Sequence, residues 1–325
     1  MTRSLAPDDE RARSPWYRDG EYVNLGEAPG GDTLKLLAFL KWKLGRPEAP
    51  VIPEALDIPC EVRPLEPAAL ATPAAGLRVA WLGHASLYVL APGLRILIDP
   101  VFGGPPLVPR LAPPPIPAER LPPPDVLLLT HNHFDHLETR AIAAVRALNP
   151  RVRAFVPSGL GAFVRKLGIE DTRALEWWDA TEVGGAKITF LPARHWSKRG
   201  LTDTKQSHWT GFAIEAGGRR LYVAGDTAAG PHVDLIAEKF PGFDAAVMPI
   251  GAYSPRWFMR DRHMNPPEAV AAARQLRAAV LLPVHWGTFK LSDEPLGEPP
   301  LYAQRAADEA KQPLRLWLPG DVHEV

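Results

Sequence analysis

The sequence has little cysteine, no excess of charge of either sign and no long hydrophobic run. Its single cysteine, Cys60, excludes an intramolecular disulfide, and we expect its side chain to fill space in the core. Lysine and arginine together number 37, as do aspartate and glutamate, so charge gives no reason to expect a nucleic-acid partner. No apolar run reaches the ~20 residues of a membrane span, and residues 1–10 are too polar for a secretory signal. We therefore expect a soluble, cytoplasmic protein, and the composition leaves its oligomeric state open.

Proline, by contrast, is abundant, with 37 residues that cluster in two stretches. The stretches are residues 46–74 and 104–124, and segments that are rich in proline form little helix or sheet. The first predicts an extended segment, so that residues 1–74 would form an N-terminal arm that wraps a single domain over residues 75–325. The second predicts a long loop between two strands, and loops of this length are often functional.

Residues 33–46 are basic and strongly apolar, and they predict a helix. The lysines and Trp42 would suit a membrane surface. The lysines do not form a clean polar face, however, so we favour a helix that docks on the core through its leucines. A peripheral membrane contact stays open as the alternative.

The most informative stretch is residues 130–136, Thr-His-Asn-His-Phe-Asp-His, which has four candidate metal ligands within six residues. Residues 125–129 before it are typical of a fully buried strand, and residues 137–148 after it predict a helix. The stretch therefore lies at a strand-to-helix turn, where an open α/β sheet presents its binding crevice.

The four candidate ligands of this turn fall into two pairs. His131 and His133 point the same way in an extended segment, because the side-chain period of a strand is two. Asp135 and His136 lie where the chain turns into the helix, so they can face a different point. One turn can thus supply two adjacent metal sites.

Several other apolar strands also end in a residue that can bind metal. Histidine and aspartate are poor strand residues unless something at the strand's end needs them. Together with the turn, these endings indicate that the strands converge on one site, and strands mixed with helices predict a layered α/β architecture. The strand-end residues are His84, Asp99, His195, Asp226 and His285.

A further helix is predicted over residues 266–277, with Asn265 as its N-cap.

Seven of these residues offer two sets of metal ligands that Asp226 would bridge. Zinc favours imidazole and carboxylate ligands, and a catalytic site leaves a position open for water. A purely structural zinc site is disfavoured because there are no cysteine pairs to supply thiolates. The joint pattern also argues against ordinary polar residues at strand ends. The first set is His131, His133 and His195, and the second is Asp135, His136 and His285.

The turn at residues 130–136 resembles the signature of the metallo-β-lactamase fold superfamily, whose later ligands occur in the order of His195, Asp226 and His285. Further blocks resemble N-acyl-phosphatidylethanolamine-hydrolysing phospholipase D and its bacterial relatives. The resemblance implies a four-layer αββα sandwich with two zinc ions at one edge, although other divalent transition metals suit the same ligands. The blocks are residues 81–86, 99–101, 177–178, 195–196, 225–227, 250–259, 263–266 and 285–289, with a weaker match at residues 22–24.

Residues beside the ligand set have two interpretations each. His84 would either orient a ligand or Asp99 from behind the metals, or be a satisfied core histidine. His263 would either contact a substrate phosphate or the leaving group, or have only a structural role. The first interpretation, which the resemblance favours, makes it a candidate catalytic residue together with the ligands Asp135 and Asp226.

Four more residues are candidate substrate contacts near the expected pocket. The guanidinium of Arg256 would either pair with a phosphate in bidentate fashion or hold a carboxylate in the core. The aromatic side chains would line the pocket or simply pack. The four are Phe134, Tyr253, Arg256 and Phe258.

The ligand set and the resemblance together imply a zinc-dependent hydrolase that cleaves a phosphodiester. N-acyl-phosphatidylethanolamine or a related phospholipid is the expected substrate, cleaved in the manner of phospholipase D. A hydroxide that bridges the metals is available near neutral pH, because zinc lowers the pKa of bound water to about 7. It would attack phosphorus in line with the leaving alcohol, and the loop at residues 104–117 would border the entrance for the acyl chains.

Two other functions remain as alternatives. A lactonase or other ester hydrolase of a soluble metabolite would use the same hydroxide on a carbonyl carbon. A small, charged pocket would favour that reaction, whereas a broad apolar groove would favour the lipid. A non-catalytic metal-binding scaffold is the third hypothesis, and retention of all seven ligands argues against it.

Overall fold

The structure, a computed structural model, describes residues 11, 14–27, 57–71 and 75–325. The helix predicted over residues 33–46 lies outside the described residues, as does part of the predicted N-terminal arm. Within the described ranges, no helix is long and apolar enough to cross a membrane.

The described residues form fifteen strands and seven α-helices. In chain order the strands are β1 (Tyr17–Arg18), β2 (Glu21–Tyr22), β3 (Arg78–Gly83), β4 (Ser86–Ala91), β5 (Leu94–Ile98), β6 (Val126–Leu128), β7 (Arg153–Pro157), β8 (Thr172–Leu175), β9 (Ala180–Val183), β10 (Ala186–Leu191), β11 (Gly211–Ala216), β12 (Arg219–Val223), β13 (Ala245–Pro249), β14 (Leu281–Val284) and β15 (Val322–Glu324). The helices are α1 (Pro67–Ala71), α2 (Thr139–Leu148), α3 (Gly161–Lys166), α4 (His232–Lys239), α5 (Arg256–Met259), α6 (Pro266–Gln275) and α7 (Glu298–Ala310).

Two large mixed sheets contain most of the strands. The seven-stranded sheet has the order β15-β3-β4-β5-β6-β7-β8, and the six-stranded sheet has the order β14-β13-β12-β11-β10-β9. Strands β5 to β8 run parallel, as do β12 to β14. Parallel neighbours need crossover connections, and α2, α3, α4 and α6 lie in these connections.

The alternation of side chains along the strands separates the layers. In β3, Val79 and Trp81 belong to the core that contains residues of both sheets, whereas Ala80 and Leu82 belong to a second core. That second core includes Ile142 of α2, so one helical layer covers the outer face of the first sheet. Buried side chains of α4, α6 and α7 pack with strands of the second sheet. The four-layer αββα sandwich is therefore confirmed.

The two helices predicted from the sequence are present with adjusted bounds. The first begins at Thr139, after Glu138 in extended conformation, and the Glu138 carboxylate accepts from the backbone N–H groups of Phe102 and Gly103 at 2.7 and 2.9 Å. The second has the predicted cap: Asn265 accepts a hydrogen bond from the N–H of residue 268, and Glu268 accepts one from the N–H of Asn265.

Two described segments of the predicted arm lie against the domain. The β1–β2 hairpin packs its Trp16 ring on Trp177, with 4.9 Å between ring centroids. Farther along, the N–H of Cys60 donates to the carbonyl of Gly287 at 3.1 Å. The Cys60 side chain is buried in the core between the sheets, as expected from the sequence.

Candidate metal centre

The ligand-rich turn follows β6 and is held in place by hydrogen bonds of its own backbone. The N–H groups of His136 and Leu137 both donate to the carbonyl of His133, at 3.1 and 2.9 Å. His131 and His136 are buried to 1% and 0% exposure. The turn thus presents several imidazoles to the interior from a compact stretch of chain.

One group of side chains forms around the first pair of this turn. The His131 Nε2 and His133 Nδ1 atoms lie 2.8 Å apart, and the His195 Nε2 atom lies 3.2 Å from the same nitrogen of His133. With Asp226, the candidate ligand atoms of this group all lie within 4.8 Å of one another. The structure therefore brings together the residues of the first predicted ligand set.

A second group forms around Asp135 and His136. It contains His285, as predicted, and also His84, again with candidate ligand atoms within 4.8 Å of one another. The His84 Nε2 atom lies 3.0 Å from Asp135 Oδ2. Of the alternatives for His84, the geometry thus favours contact with a candidate ligand rather than with Asp99.

Asp226 lies between the two groups. Its Oδ2 atom is 3.2 Å from His136 Nε2 and 3.7 Å from His195 Nε2, and its Oδ1 atom is 3.1 Å from His285 Nε2. His263, predicted to contact substrate, has its Nδ1 atom 4.0 Å from Asp226 Oδ2. One carboxylate can therefore contact two neighbouring cations.

The backbone before Asp226 depends on a glycine. Gly225 has a φ of +61°, and a Cβ there would lie 2.8 Å from the carbonyl oxygen of Thr210 and 3.0 Å from the Thr130 methyl group. A side chain would force apart the strand ends that carry the ligands. Three of the predicted site residues, His84, Asp99 and His285, also have positive φ angles, of 50°, 43° and 65°. Strain of this kind in non-glycine residues is concentrated at functional sites.

The buried polar atoms of the site fit a metal. Among the described residues, His136 Nε2, His285 Nε2 and Asp226 Oδ1 are inaccessible to solvent and have no hydrogen bond of good geometry, although the imidazole nitrogens lie within 3.2 Å of the Asp226 carboxylate. Leaving such atoms unpaired costs ~1–3 kcal/mol each. Their mutual approach, in a set made of imidazole and carboxylate, matches the ligand chemistry of a divalent transition metal.

Charge is distributed unequally between the two groups. Burial holds the pKa of His131 well below its usual range, and the neighbouring imidazoles lower it further. Burial also opposes protonation of His136, but the Asp226 and Asp135 carboxylates outweigh it and hold the pKa of His136 well above its usual range. The same balance raises the pKa of His285 to about 9. A bound cation would take the place of protons on the second group, since ligands must be deprotonated to bind metal.

The other ring nitrogen of three ligands has a partner outside the metal set. Thr130 donates its hydroxyl to Asp99 Oδ2 at 2.5 Å and therefore accepts from His131 Nδ1 at 2.9 Å. Asp99 Oδ2 also accepts from His136 Nδ1 at 2.7 Å. His195 Nδ1 donates to the carbonyl of Arg262 at 2.9 Å. Such outer partners select the tautomer and direct the remaining nitrogen to the metal.

The predicted phosphate contact of Arg256 requires correction. Its guanidinium donates to both carboxylate oxygens of Glu268, at 2.8 and 2.9 Å, and to the carbonyl of His263. This arrangement corresponds to the alternative interpretation, in which Arg256 holds a carboxylate. The Tyr253 hydroxyl likewise donates to Glu298, and the residue is buried.

Two supporting residues escaped the sequence analysis. Arg199 donates to the carbonyls of Asn132 and Leu137, at 3.1 and 2.7 Å, and its guanidinium lies 4.1 Å from the centroid of the Phe134 ring. It therefore holds both ends of the ligand turn, and no motif around it pointed to this role. Asn24 contacts the backbone of His195, and its only sequence signal was the weak match at residues 22–24.

Comparison with known proteins agrees with this geometry. The model of a family described as the beta-lactamase superfamily domain matches residues 94–286. An N-acyl-phosphatidylethanolamine-hydrolyzing phospholipase D of Caenorhabditis elegans is 38% identical over an alignment of 235 positions. The alignment covers 66% of this chain and 65% of that protein, so this chain spans just under two thirds of its length. A metal-dependent hydrolase of Koribacter versatilis is 32% identical, and the alignment covers 66% of this chain and 86% of that protein. A metallo hydrolase of the archaeon Ignicoccus hospitalis superposes with a TM-score of 0.61 at 22% identity, over 77% of this chain and 99% of that one, which supports the fold.

Proposed function

We propose that this chain, which belongs to the β-lactamase superfamily and is a metal-dependent hydrolase, cleaves phosphodiesters. The substrate that we propose is N-acyl-phosphatidylethanolamine or a related phospholipid. The observation that carries the proposal is the pair of adjacent ligand groups, with Asp226 in the first group and within 3.2 Å of His136 and His285 of the second. A relative that is 38% identical is named for hydrolysis of this lipid.

Two zinc ions at this position would neutralise charge on the phosphoryl oxygens and lower the pKa of water to about 7. The protein would bind the lipid phosphate over Asp226 and exclude bulk water through the buried walls of the site. In the reaction, water adds to phosphorus and the bond to the alcohol oxygen breaks, so the products are phosphatidic acid and an N-acylethanolamine. We assign one zinc to His131, His133 and His195, and the other to Asp135, His136 and His285. Asp226 would contact both zinc ions.

We assign to His263 a contact with the reacting phosphate. Its Nδ1 atom is buried and has no hydrogen-bond partner among the described residues. Burial, acting with the neighbouring His195 and His285 imidazoles against the Asp226 carboxylate, holds the pKa of His263 well below its usual range. A neutral imidazole can donate one hydrogen bond and accept another, so His263 would bind a phosphoryl oxygen or pass a proton to the leaving alcohol oxygen.

Arginines lie over aromatic rings beside the centre, which favours an amphipathic anion. Each ring belongs to a segment that contains or adjoins a candidate ligand. A cation over a ring face is stabilised by the ring quadrupole, so these pairs hold positive charge beside the position proposed for an anionic headgroup. The pairs are Arg199 over Phe134 at 4.1 Å, Arg262 over Trp196 at 4.3 Å and Arg110 over Phe289 at 5.2 Å.

Three loops that follow strands with site residues form what we call the rim: residues 104–117, 196–207 and 250–263. Each loop has one large apolar side chain that is more than half exposed. The three are Leu107, Leu201 and Trp257, exposed to 104%, 96% and 56%. Apolar side chains at this edge would contact the acyl chains of a lipid, which a soluble metabolite does not offer.

The test is an activity assay of the zinc-loaded protein on three substrates. We expect turnover of N-acyl-phosphatidylethanolamine in mixed micelles and of a soluble bis-aryl phosphodiester, with no turnover of a simple lactone. Failure on both phosphodiesters at full metal occupancy would contradict the proposal. Lactone turnover without phosphodiester turnover would instead support the ester hydrolase.

A further inference from the structure

A segment far from the ligand turn in sequence reaches the metal centre through a single side chain. Asn24 lies in the stretch that follows β2 and is buried to 6% exposure. Its Oδ1 atom accepts from the N–H of His195 at 3.0 Å, and its Nδ2 atom donates to the carbonyl of His195 at 3.0 Å. The amide thus pairs with both backbone groups of a candidate ligand, as a neighbouring strand would.

His195 needs such a partner because of its place in the fold. Strand β10 ends at Leu191, where its pairing with β11 also ends, and His195 lies beyond that point. The backbone there is buried, and buried N–H and C=O groups must find partners outside the ladder. Asn24 supplies both partners at once, so the backbone of His195 is held as firmly as in a strand.

Asn24 is itself held from several sides. Its Oδ1 atom also accepts from the Trp209 indole at 2.9 Å, and its Nδ2 atom also donates to Glu27 at 2.9 Å. The other carboxylate oxygen of Glu27 pairs with the Arg194 guanidinium at 3.2 Å. Before Asn24, the Tyr22 ring stacks on His208 with 4.7 Å between centroids. The amide therefore has one orientation relative to the sheet.

The ring of His195 is fixed by a separate contact. His195 Nδ1 donates to the carbonyl of Arg262, which leaves Nε2 to face Asp226 at 3.7 Å. The Arg262 carbonyl sets the rotation of the ring, whereas Asn24 sets the position from which the side chain projects. Both are needed for the Nε2 atom of His195 to meet the Nε2 atom of His131 and the Nδ1 atom of His133.

We propose that Asn24 is a positioning residue that sets metal affinity at the group formed by His131, His133 and His195. The inference rests on the proposed metal centre. Outer partners of metal ligands typically contribute ~10–100-fold to metal affinity. Because Asn24 contacts only His195 among the candidate ligands, its loss should weaken one of two metals much more than the other.

The experiment measures both metal affinities by competition with a chromophoric chelator, and records the absorption spectrum of the Co²⁺-substituted protein. Asn24→Ala is expected to weaken one metal by ~10–100-fold and to change the Co²⁺ spectrum at that site. Asn24→Asp keeps the shape and the Oδ1 acceptor but removes the Nδ2 donor, so it should weaken the same metal even if the alanine variant folds poorly. Asn149→Ala is the matched control, since Asn149 also bonds to backbone on both sides, far from the ligands.

The outcomes separate this inference from the function on which it rests. A wild-type protein that binds no metal would contradict the proposed centre itself. Two metals in the wild type with unchanged affinities in folded Asn24→Ala and Asn24→Asp would overturn the role of Asn24. Equal weakening of both metals, together with a lower melting temperature of the metal-free protein, would also overturn it, because that pattern indicates a general structural role.

Discussion

The metal centre and the rim are built in opposite ways. At the centre, His131, His136 and Asp226 are buried to 3% exposure or less, and the Nδ1 atoms of both histidines have hydrogen-bond partners outside the metal set. On the rim, Leu107 and Leu201 are almost fully exposed. The chemistry is thus tied to the sheets, whereas contacts with the substrate would lie on loops that can change without disturbing it.

The difference has an energetic consequence. Removing one partner of a buried charged pair costs ~3–5 kcal/mol, because the other partner is left uncompensated. A surface substitution away from such features changes stability by about 0.5 kcal/mol or less. Substitutions at the centre should therefore reduce metal binding and activity on every substrate, and substitutions on the rim should act on lipid alone.

The largest effect is expected from His133→Ala. His133 Nδ1 lies within 3.2 Å of the ring nitrogens of both His131 and His195, so its removal should empty one metal site. The activity should fall by more than the ~10–100-fold that follows loss of an outer partner. Metal content by mass spectrometry and kcat on the soluble phosphodiester measure the two effects.

His323→Ala is the control for that substitution, since His323 pairs with Arg315 rather than with any candidate ligand. It should keep full metal content and activity. If His133→Ala lost its metal yet kept its activity, the proposed mechanism would be wrong.

A smaller loss is expected when an outer partner is weakened. Asp99 accepts from His136 Nδ1 and from both the hydroxyl and the N–H of Thr130, and Asp99→Asn would turn an NH₂ group toward one of these donors. We expect a ~10–100-fold loss of metal affinity, measured by chelator competition, with activity restored at high zinc concentration.

Asp125→Asn provides the comparison, because Asp125 lies at the opposite end of β6 and accepts from the N–H of Arg95 at 2.9 Å. The metal affinity of the Asp125→Asn variant should equal that of the wild type. Equal losses in the two variants would indicate a general effect on the sheet, and an unchanged affinity in Asp99→Asn would contradict the role of Asp99.

The contrast between centre and rim also explains what the sequence could predict. The candidate ligands follow buried strands, and parallel strands bring their carboxyl ends to one edge of a sheet. The residues that meet at that edge could therefore be predicted from short apolar runs in the sequence and from the turn at residues 130–136. Asn24 and His195 are 171 positions apart, and Arg199 and Leu137 are 62 apart, so no local pattern reports either contact. Arg256 shows a different limit: phosphate and carboxylate are equally good partners for a guanidinium, and only the fold placed Glu268 beside it.

The smallest effects are expected on the rim, and they test whether the rim belongs to lipid binding. Leu107→Ser and Leu201→Ser should each weaken binding to phospholipid vesicles by up to about tenfold, since partial insertion would realise about half of the roughly 1.5–3 kcal/mol that full burial of a leucine contributes. Activity on the soluble bis-aryl phosphodiester should not change. The ratio of kcat/KM on vesicles to kcat/KM on the soluble substrate is the measurement.

Leu301→Ser is the matched control for these rim variants, because Leu301 is 58% exposed on α7, in the outer helical layer. It should leave both activities unchanged. Equal losses on vesicles and on the soluble substrate in the rim variants would mean that the rim supports the metal centre, and the division between the two regions would fail. Unchanged activity on vesicles would mean that the rim does not contribute to lipid binding. It would favour a soluble phosphodiester as the substrate, because the metal centre alone would then account for all the binding energy.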